Sequence, residues 1–169
     1  MSSILVVSDT GPIHYLTLLG RIELLTHFFG DVLVPSAVVR ELSHPSTPEP
    51  IRAFILSQPV WLKVVECLTT DPKFDRFGAG EREALTVALS HPGAVLLCDD
   101  GAARAAAISE KIPVSGTLGF LRDAALSNLL DIRIEIERLR SETNFRGSDK
   151  LFESVCVETE RLIRERNSQ

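Results

Sequence analysis

Residues 4–9 of this chain read Ile-Leu-Val-Val-Ser-Asp, an apolar run that ends in a carboxylate. Residues 94–100 have the same character and read Ala-Val-Leu-Leu-Cys-Asp-Asp. Short apolar runs without charge predict buried strands. Carboxylates at the carboxyl ends of parallel strands lie in the crevice where α/β folds bind ligands. The two runs therefore predict an α/β fold with an acidic site at this edge of its sheet.

The remaining segments alternate between strand-like and helix-like patterns, which predicts a parallel sheet covered on both faces. Further strands are expected at residues 32–34, 61–65 and 113–115, so the sheet has about five strands. Residues 69–80 contain proline and glycine and are expected to form a surface loop. Helices are expected up to residue 18 and at 21–29, 37–42, 51–56, 81–90, 102–110, 117–126, 129–140 and 149–166.

The length of 169 residues suits a single domain. We expect residues 1–169 to form one domain, with a core at about 4–127 and a helical extension at about 129–166. Each of the two helices of the extension has an apolar stripe. One stripe can pack on the domain, and the other then pairs two copies or binds a partner protein, or both cover the sheet edge. The stripes contain Leu129, Leu130, Ile132, Ile136 and Leu139, then Leu151, Phe152, Val155, Leu162 and Ile163.

Composition restricts the setting in which the protein works. No apolar run approaches the ~18 residues of a membrane span, and the first residues lack the charged region of a signal peptide. The three cysteines are odd in number and far apart, so a reducing cytoplasm is the expected compartment. The net charge of −5 argues against a broad basic face for duplex nucleic acid. A nuclease remains compatible, because bound metal would neutralise clustered acids.

Asp9, Glu41 and Glu81 are candidate site residues because each follows a strand or shares a helix face with apolar residues. Asp9 follows the first strand directly, and its alternative role is to cap the next helix. Glu41 shares a face with Ala37 and Val38, and its alternative role is a salt bridge. Glu81 heads a predicted helix, where an acid could simply complement the helix dipole.

Glu81 and Glu83 can be separated by helical periodicity. Glu81 shares its face with Ala84, Leu85, Ala88 and Leu89. Glu83 shares its face with more polar residues and is expected at the surface. Glu81 is therefore the predicted member of the site.

Asp99 and Asp100 are adjacent, and adjacent side chains in extended backbone point to opposite sides. One is expected to reach the metal, while the other caps the next helix or holds Arg104; the sequence does not say which. Ser8 and Thr10 could bond an acid or a metal-bound water, or could be turn residues.

Acids held this close repel one another unless a cation joins them, and Mg²⁺ and Mn²⁺ prefer oxygen ligands. The candidate ligands are Asp9, Glu41, Glu81, Asp99 and Asp100. A bound metal would lower the pKa of a water and stabilise charge on a phosphate ester under attack. The chain is therefore interpreted as a metal-dependent enzyme that acts on phosphate esters.

With these residues identified, the chain resembles PIN-domain proteins over about residues 4–127. The resemblance rests on the order and spacing of five pieces, since each is weak alone. They are residues 7–12 (Val-Ser-Asp-Thr-Gly-Pro), 38–42 (Val-Val-Arg-Glu-Leu), 80–85 (Gly-Glu-Arg-Glu-Ala-Leu), 97–100 (Leu-Cys-Asp-Asp) with Arg104, and 115–121 (Ser-Gly-Thr-Leu-Gly-Phe-Leu).

The resemblance implies a three-layer α/β/α sandwich and a Mg²⁺- or Mn²⁺-dependent ribonuclease that acts on single-stranded or structured RNA. Many such proteins are toxins of prokaryotic toxin–antitoxin modules. The resemblance maps the family's acids to Asp9, Glu41, Glu81 and the Asp99–Asp100 pair, with Ser8, Thr10, Arg104 and Thr117 as supporting residues.

The chain departs from many family toxins at two places. Glu81 replaces an aspartate, and Asp99-Asp100 replaces a Thr-x-Asp pattern, which is typical of a subgroup with Gly-Glu and Asp-Asp motifs. Two other functions stay open. One is a non-catalytic module that binds RNA or protein, and the other is a small-molecule phosphatase, which Gly11 disfavours because that class has a second acid there.

Overall fold

The computed structural model describes residues 4–168. Contacts between Cα atoms divide the chain into two compact units, Met1–Gly116 and Thr117–Gln169. The first unit contains the sheet and every candidate acid. The second unit is helical.

The first unit is built on a five-stranded, wholly parallel sheet in the order β3-β2-β1-β4-β5. Its strands are short and rich in valine and leucine, as expected for parallel strands that are covered on both faces. The predicted three-layer α/β/α fold is confirmed. The strands are β1 (Val6–Ser8), β2 (Val32–Pro35), β3 (Leu62–Val65), β4 (Val95–Leu97) and β5 (Val114–Ser115).

Six α-helices of the described residues connect these strands. Their bounds differ from the expected ones by a few residues at most, because helix ends depend on caps outside the apolar pattern. The helices are α1 (Thr10–Leu18), α2 (Leu24–Phe29), α3 (Ser36–Leu42), α4 (Glu49–Ser57), α5 (Ala79–Leu89) and α6 (Gly101–Ser109).

One part of the core comes from a segment that we expected to be a surface loop. Residues 69–80 contain a short 3-10 turn, Pro72–Phe74, capped by the Asp71 side chain, which accepts from the Lys73 N–H. The turn buries Phe74 in a cluster with Leu85 of α5 and Leu96 of β4. The prediction of a surface loop was therefore wrong at Phe74, because composition marks the turn but not the direction of its aromatic ring.

The strand order determines where the crevice lies. The chain runs outward from β1 through β2 to β3 and then returns to place β4 on the other side of β1. Ligands in open α/β sheets bind at such a reversal, outside the carboxyl ends of the two central strands. Asp9 directly follows β1, and Asp99 follows β4 after one residue. The sheet therefore brings the two predicted acidic ends to its switch point.

The second unit contains α7 (Thr117–Leu126), α8 (Ile132–Glu142) and α9 (Asp149–Asn167). Helix α8 begins three residues later than expected, because Asn128 adopts a left-handed conformation and the Asp131 side chain caps the helix at the N–H groups of Arg133 and Ile134. In the stripes of α8 and α9, Ile132, Ile136, Leu139 and Phe152 are buried, whereas Leu151 is 44% exposed. None of the helices between residues 4 and 168 has the length and apolarity to cross a membrane.

Candidate active site

Asp9 is the most buried acid of the site. It occupies the position before α1, but its side chain makes no capping hydrogen bond, so the alternative role as a helix cap is wrong. Its backbone N–H donates to the Leu97 carbonyl at 2.9 Å, which ties it to the end of β4. The side chain is only 4% exposed, and Oδ1 is buried without a hydrogen-bond partner among the described residues.

The surroundings of Asp9 disfavour its charge. The pKa of Asp9 is raised to about 7, chiefly by burial and also by the carboxylates of Glu81 and Glu41, which together outweigh the hydrogen bonds from the Thr10 backbone and the Cys98 thiol. A buried carboxylate that lacks a partner is costly. The site therefore favours either a proton or a cation at Asp9.

Cys98 contributes to the site in a way that the sequence did not indicate. It was expected to be a buried thiol, and it is buried. Its Sγ also lies 3.5 Å from Oδ2 of Asp9, as a donor. Burial raises the pKa of the Cys98 thiol, and the nearby Asp9 carboxylate raises it further. The only signal in the sequence was the position of Cys98 at the end of the strand that pairs with β1.

Glu41 links α3 to the first turns of two other helices. Its Oε2 accepts the Thr10 hydroxyl at 2.5 Å, and its Oε1 accepts the Gly80 N–H at 2.9 Å. Thr10 begins the segment after Asp9, and Gly80 precedes Glu81. The structure thus brings Glu41 to the cluster and gives Thr10 the role of an acid partner, which the sequence had left open.

Glu81 lies within electrostatic reach of three other acids, Asp9, Glu41 and Asp100. Burial raises the pKa of Glu81, and the carboxylates of Glu41 and Asp100 raise it further. Its Oε2 lies over Gly78, at 2.6 Å from the position that a Cβ would take there. The carboxylate therefore folds back over the start of its own helix α5, where backbone hydrogen bonds at Gly78 and Glu81 lower its pKa.

The structure divides the roles of Asp99 and Asp100. Asp100 caps α6, where its Oδ1 accepts the Ala103 N–H at 2.8 Å. The Asp99 carboxylate instead lies between two glycines: a Cβ at Gly11 would be 2.8 Å from Oδ2, and one at Gly116 would be 2.7 Å from Oδ1. The Asp99 carboxylate thus lies beside the first turn of α1, while Asp100, which caps α6, still raises the pKa of Glu81; which of the two is a metal ligand stays a prediction.

The other three supporting residues have different positions. Ser8 is buried and donates its hydroxyl to the Asp9 carbonyl at 3.0 Å, so it shapes the backbone after β1. Arg104 donates from Nη1 to the Cys98 carbonyl at 3.1 Å. Thr117 is the first residue of α7, in the second unit, and its supporting role stays a prediction.

A comparison with protein families agrees with this arrangement. The family model that matches is described as a PIN domain, and it covers residues 5–161. The chain belongs to the PIN-domain family. PIN domains are generally nucleases and typically use divalent metal ions. No curated protein matches the chain.

One residue of this PIN domain differs from its expected position. Glu83 was expected at the polar surface of α5, and this was wrong, because the residue as a whole is only 8% exposed. Its Oε2 accepts the Ala37 N–H at 2.9 Å, and its Oε1 lies 3.6 Å from Nη2 of Arg40. Helical periodicity missed this position because its polar partner is the start of α3, a segment distant in sequence. That Glu81, and not Glu83, belongs to the site stays a prediction.

The acids of this PIN domain fit a hard divalent cation by their chemistry. Every candidate ligand atom is a carboxylate oxygen. The buried Oδ1 of Asp9 has no hydrogen-bond partner among the described residues. Within residues 4–168, no three side chains of histidine, cysteine, aspartate or glutamate come together closely enough to hold one metal. Mg²⁺ commonly binds through one or two carboxylates and keeps several waters.

Proposed function

We propose that this PIN domain is a metal-dependent single-strand ribonuclease that hydrolyses RNA phosphodiester bonds. The observation that carries the proposal is the buried Asp9 carboxylate, which has one oxygen without a partner and two other acids near enough to raise its pKa. A purely structural site would pair or remove such a group. Perturbed acids in a crevice at a sheet's switch point are typical of catalytic sites.

The chain's own residues would divide the work as follows. Asp9 and Asp99 would hold Mg²⁺ or Mn²⁺, which supplies an activated water and offsets charge on the phosphate. Glu41 and Glu81 would bind the same cation or orient its waters. Thr10 fixes the Glu41 carboxylate, and Arg104 fixes the backbone end of β4.

The biological role proposed for this nuclease is that of a toxin in a prokaryotic toxin–antitoxin module. This proposal is supported by the resemblance to such toxins in the pieces around Asp9 and Glu41. An antitoxin protein or a second copy of the chain is the proposed partner of the second unit, where Leu151 of α9 remains exposed.

A second candidate function is a non-catalytic module that binds RNA or protein. It is favoured by one observation: among the described residues, no three potential ligands stand ready to hold a metal. In that case Glu41 and Asp100 would have a structural role only, through the hydrogen bonds that they accept.

Cleavage of single-stranded RNA with Mn²⁺ separates the two functions. We expect wild type to cleave, EDTA to abolish cleavage, and Asp9→Asn to lose at least about tenfold in rate. Asp31→Asn is the control, because Asp31 is exposed before β2. Binding of RNA without metal-dependent cleavage by wild type would support the non-catalytic module, and hydrolysis of small phosphate monoesters alone would support a phosphatase.

A further inference from the structure

Helices α3 and α5 cap one another. Near the end of α3, Glu41 accepts the Gly80 N–H in the first turn of α5. In α5, Glu83 accepts the Ala37 N–H in the first turn of α3. The first N–H groups of a helix have no partner within the helix, so each helix supplies the acceptor that the other lacks. We call Glu41, Glu83, Ala37 and Gly80 the reciprocal clamp.

The Glu83 half of the clamp replaces an ordinary helix cap. Helix α3 is preceded by Pro35, whose side chain offers no acceptor. The Glu83 carboxylate takes that place at 2.9 Å from the Ala37 nitrogen, and the Ser36 hydroxyl donates to it at 3.4 Å. The helix dipole favours a negative charge at this end. Arg40 adds a longer contact to the Glu83 carboxylate. Because the Arg40 side chain is 67% exposed, it offsets the Glu83 charge only partly.

The Glu41 half of the clamp belongs to the acidic cluster. Glu41 and Glu81 lie on the two clamped helices, and Gly80 is the residue before Glu81. A shift of α3 along α5 would therefore move the Glu41 carboxylate relative to Glu81. Glu83 is the buried polar contact that opposes such a shift at the far end of α3.

We propose that Glu83 is a positioning residue that sets the Glu41 carboxylate against Glu81 by capping α3. The inference rests on the proposed function for its effect on catalysis. The clamp itself can be tested without catalysis. It predicts that loss of the cap at Ala37 also weakens the hydrogen bond at Gly80, which lies on the other helix. Partners behind metal ligands are worth about 10- to 100-fold in metal affinity or activity.

The test compares Glu83→Ala with Glu83→Gln. The amide oxygen of glutamine can still accept the Ala37 N–H, although it loses the charge. We expect Glu83→Ala to weaken Mn²⁺ binding and to lower kcat by about tenfold or more, with KM for RNA nearly unchanged. Glu83→Gln should restore most of both. Arg40→Gln is the matched control, since it removes the ion pair and leaves the cap.

Amide hydrogen exchange measured by NMR supplies the readout that does not need activity. In Glu83→Ala, exchange at both Ala37 and Gly80 should speed up, while amides of the buried strand β4 keep their protection. In Glu83→Gln both amides should stay protected. If Gly80 exchanges faster in Glu83→Ala but the wild type cleaves no RNA, the clamp is upheld and the proposed function is overturned.

Two results would overturn the clamp. The first is unchanged Gly80 exchange in a folded Glu83→Ala, whatever the activity. The second is a Glu83→Gln variant that loses metal binding and kcat as fully as Glu83→Ala, because Glu83 would then act through its charge at the metal. If Glu83→Ala does not fold, Glu83→Gln is compared with Arg40→Gln for Mn²⁺ binding, kcat and amide exchange. Loss of these in Glu83→Gln alone would overturn the clamp, and their retention in both variants would uphold it.

Discussion

At the scale of single residues, the site depends on which carboxylates have partners. Periodicity and strand ends nominated Asp9, Glu41 and Glu81 as candidates, and the structure brings their carboxylates within electrostatic reach of one another. The choice between Asp99 and Asp100 was not predictable, since it depends on Gly11 and Gly116 approaching from other segments. Glu83 was misplaced for the same reason: its partner at Ala37 belongs to another helix.

The raised pKa of Asp9 predicts how stability depends on pH. The native protein holds a proton up to a pH of about 7, whereas the unfolded chain loses it near 3.8. The folded state therefore binds more protons in this window, and the free energy of unfolding falls as pH rises from about 4 to about 7. Three pKa units correspond to roughly 4 kcal/mol, at most.

Urea unfolding in EDTA at a series of pH values measures this effect, with Asp9→Asn as the comparison. The difference in unfolding free energy between the variant and wild type should grow across the window, in favour of the variant. Parallel curves for the two proteins would show that Asp9 titrates normally.

Glu81→Gln keeps the shape of the side chain and removes one charge from the cluster. We expect a loss of at least about tenfold in RNA cleavage, or about 1.4 kcal/mol in the barrier. Stability without metal should hold or rise, because repulsion from Glu41 and Asp100 is relieved. Single-turnover rates and thermal unfolding in EDTA measure the two effects. Full activity in Glu81→Gln would remove Glu81 from the site.

At the scale of elements, glycines allow the acids to approach the helices. Gly11, Gly78, Gly80 and Gly116 each lie under a carboxylate of the cluster, closer than a Cβ would permit.

The strands and most helices were predictable, because apolar periodicity determines them. The burial of Phe74 was not, because a turn's composition carries no information about where its aromatic ring points.

Gly80→Ala tests this packing. An added Cβ would lie 2.6 Å from Oε2 and 2.8 Å from Oε1 of Glu41, so the carboxylate must move. We expect weaker Mn²⁺ binding and slower cleavage, with α5 still helical by circular dichroism. Gly101→Ala is the matched control, because Gly101 also lies in a first helical turn and has no atom within 4 Å of an added Cβ. Equal Mn²⁺ affinity in the two variants would count against the packing argument.

At the scale of the whole molecule, metal binding and folding should be linked. A cation that binds only the native state stabilises it by mass action, by about 2.7 kcal/mol at 100 times Kd, or roughly 5–10 °C in Tm. We expect Mn²⁺ to raise the Tm of wild type relative to EDTA, and Asp9→Asn to lose most of this shift. The same Tm with EDTA and with millimolar Mn²⁺ would contradict the metal site.

The pairing of β1 with β4 also has a consequence for synthesis of the chain. The contact between Cys98 and Asp9 joins residues that are 89 positions apart, and β2 and β3 are complete before β4 is made. A nascent chain that stops short of β4 has Asp9 and β2, but it lacks Asp99 and the strand on the other side of β1. The acids then have no shared crevice, so a ribosome-bound fragment should be harmless to RNA until most of the first unit has emerged.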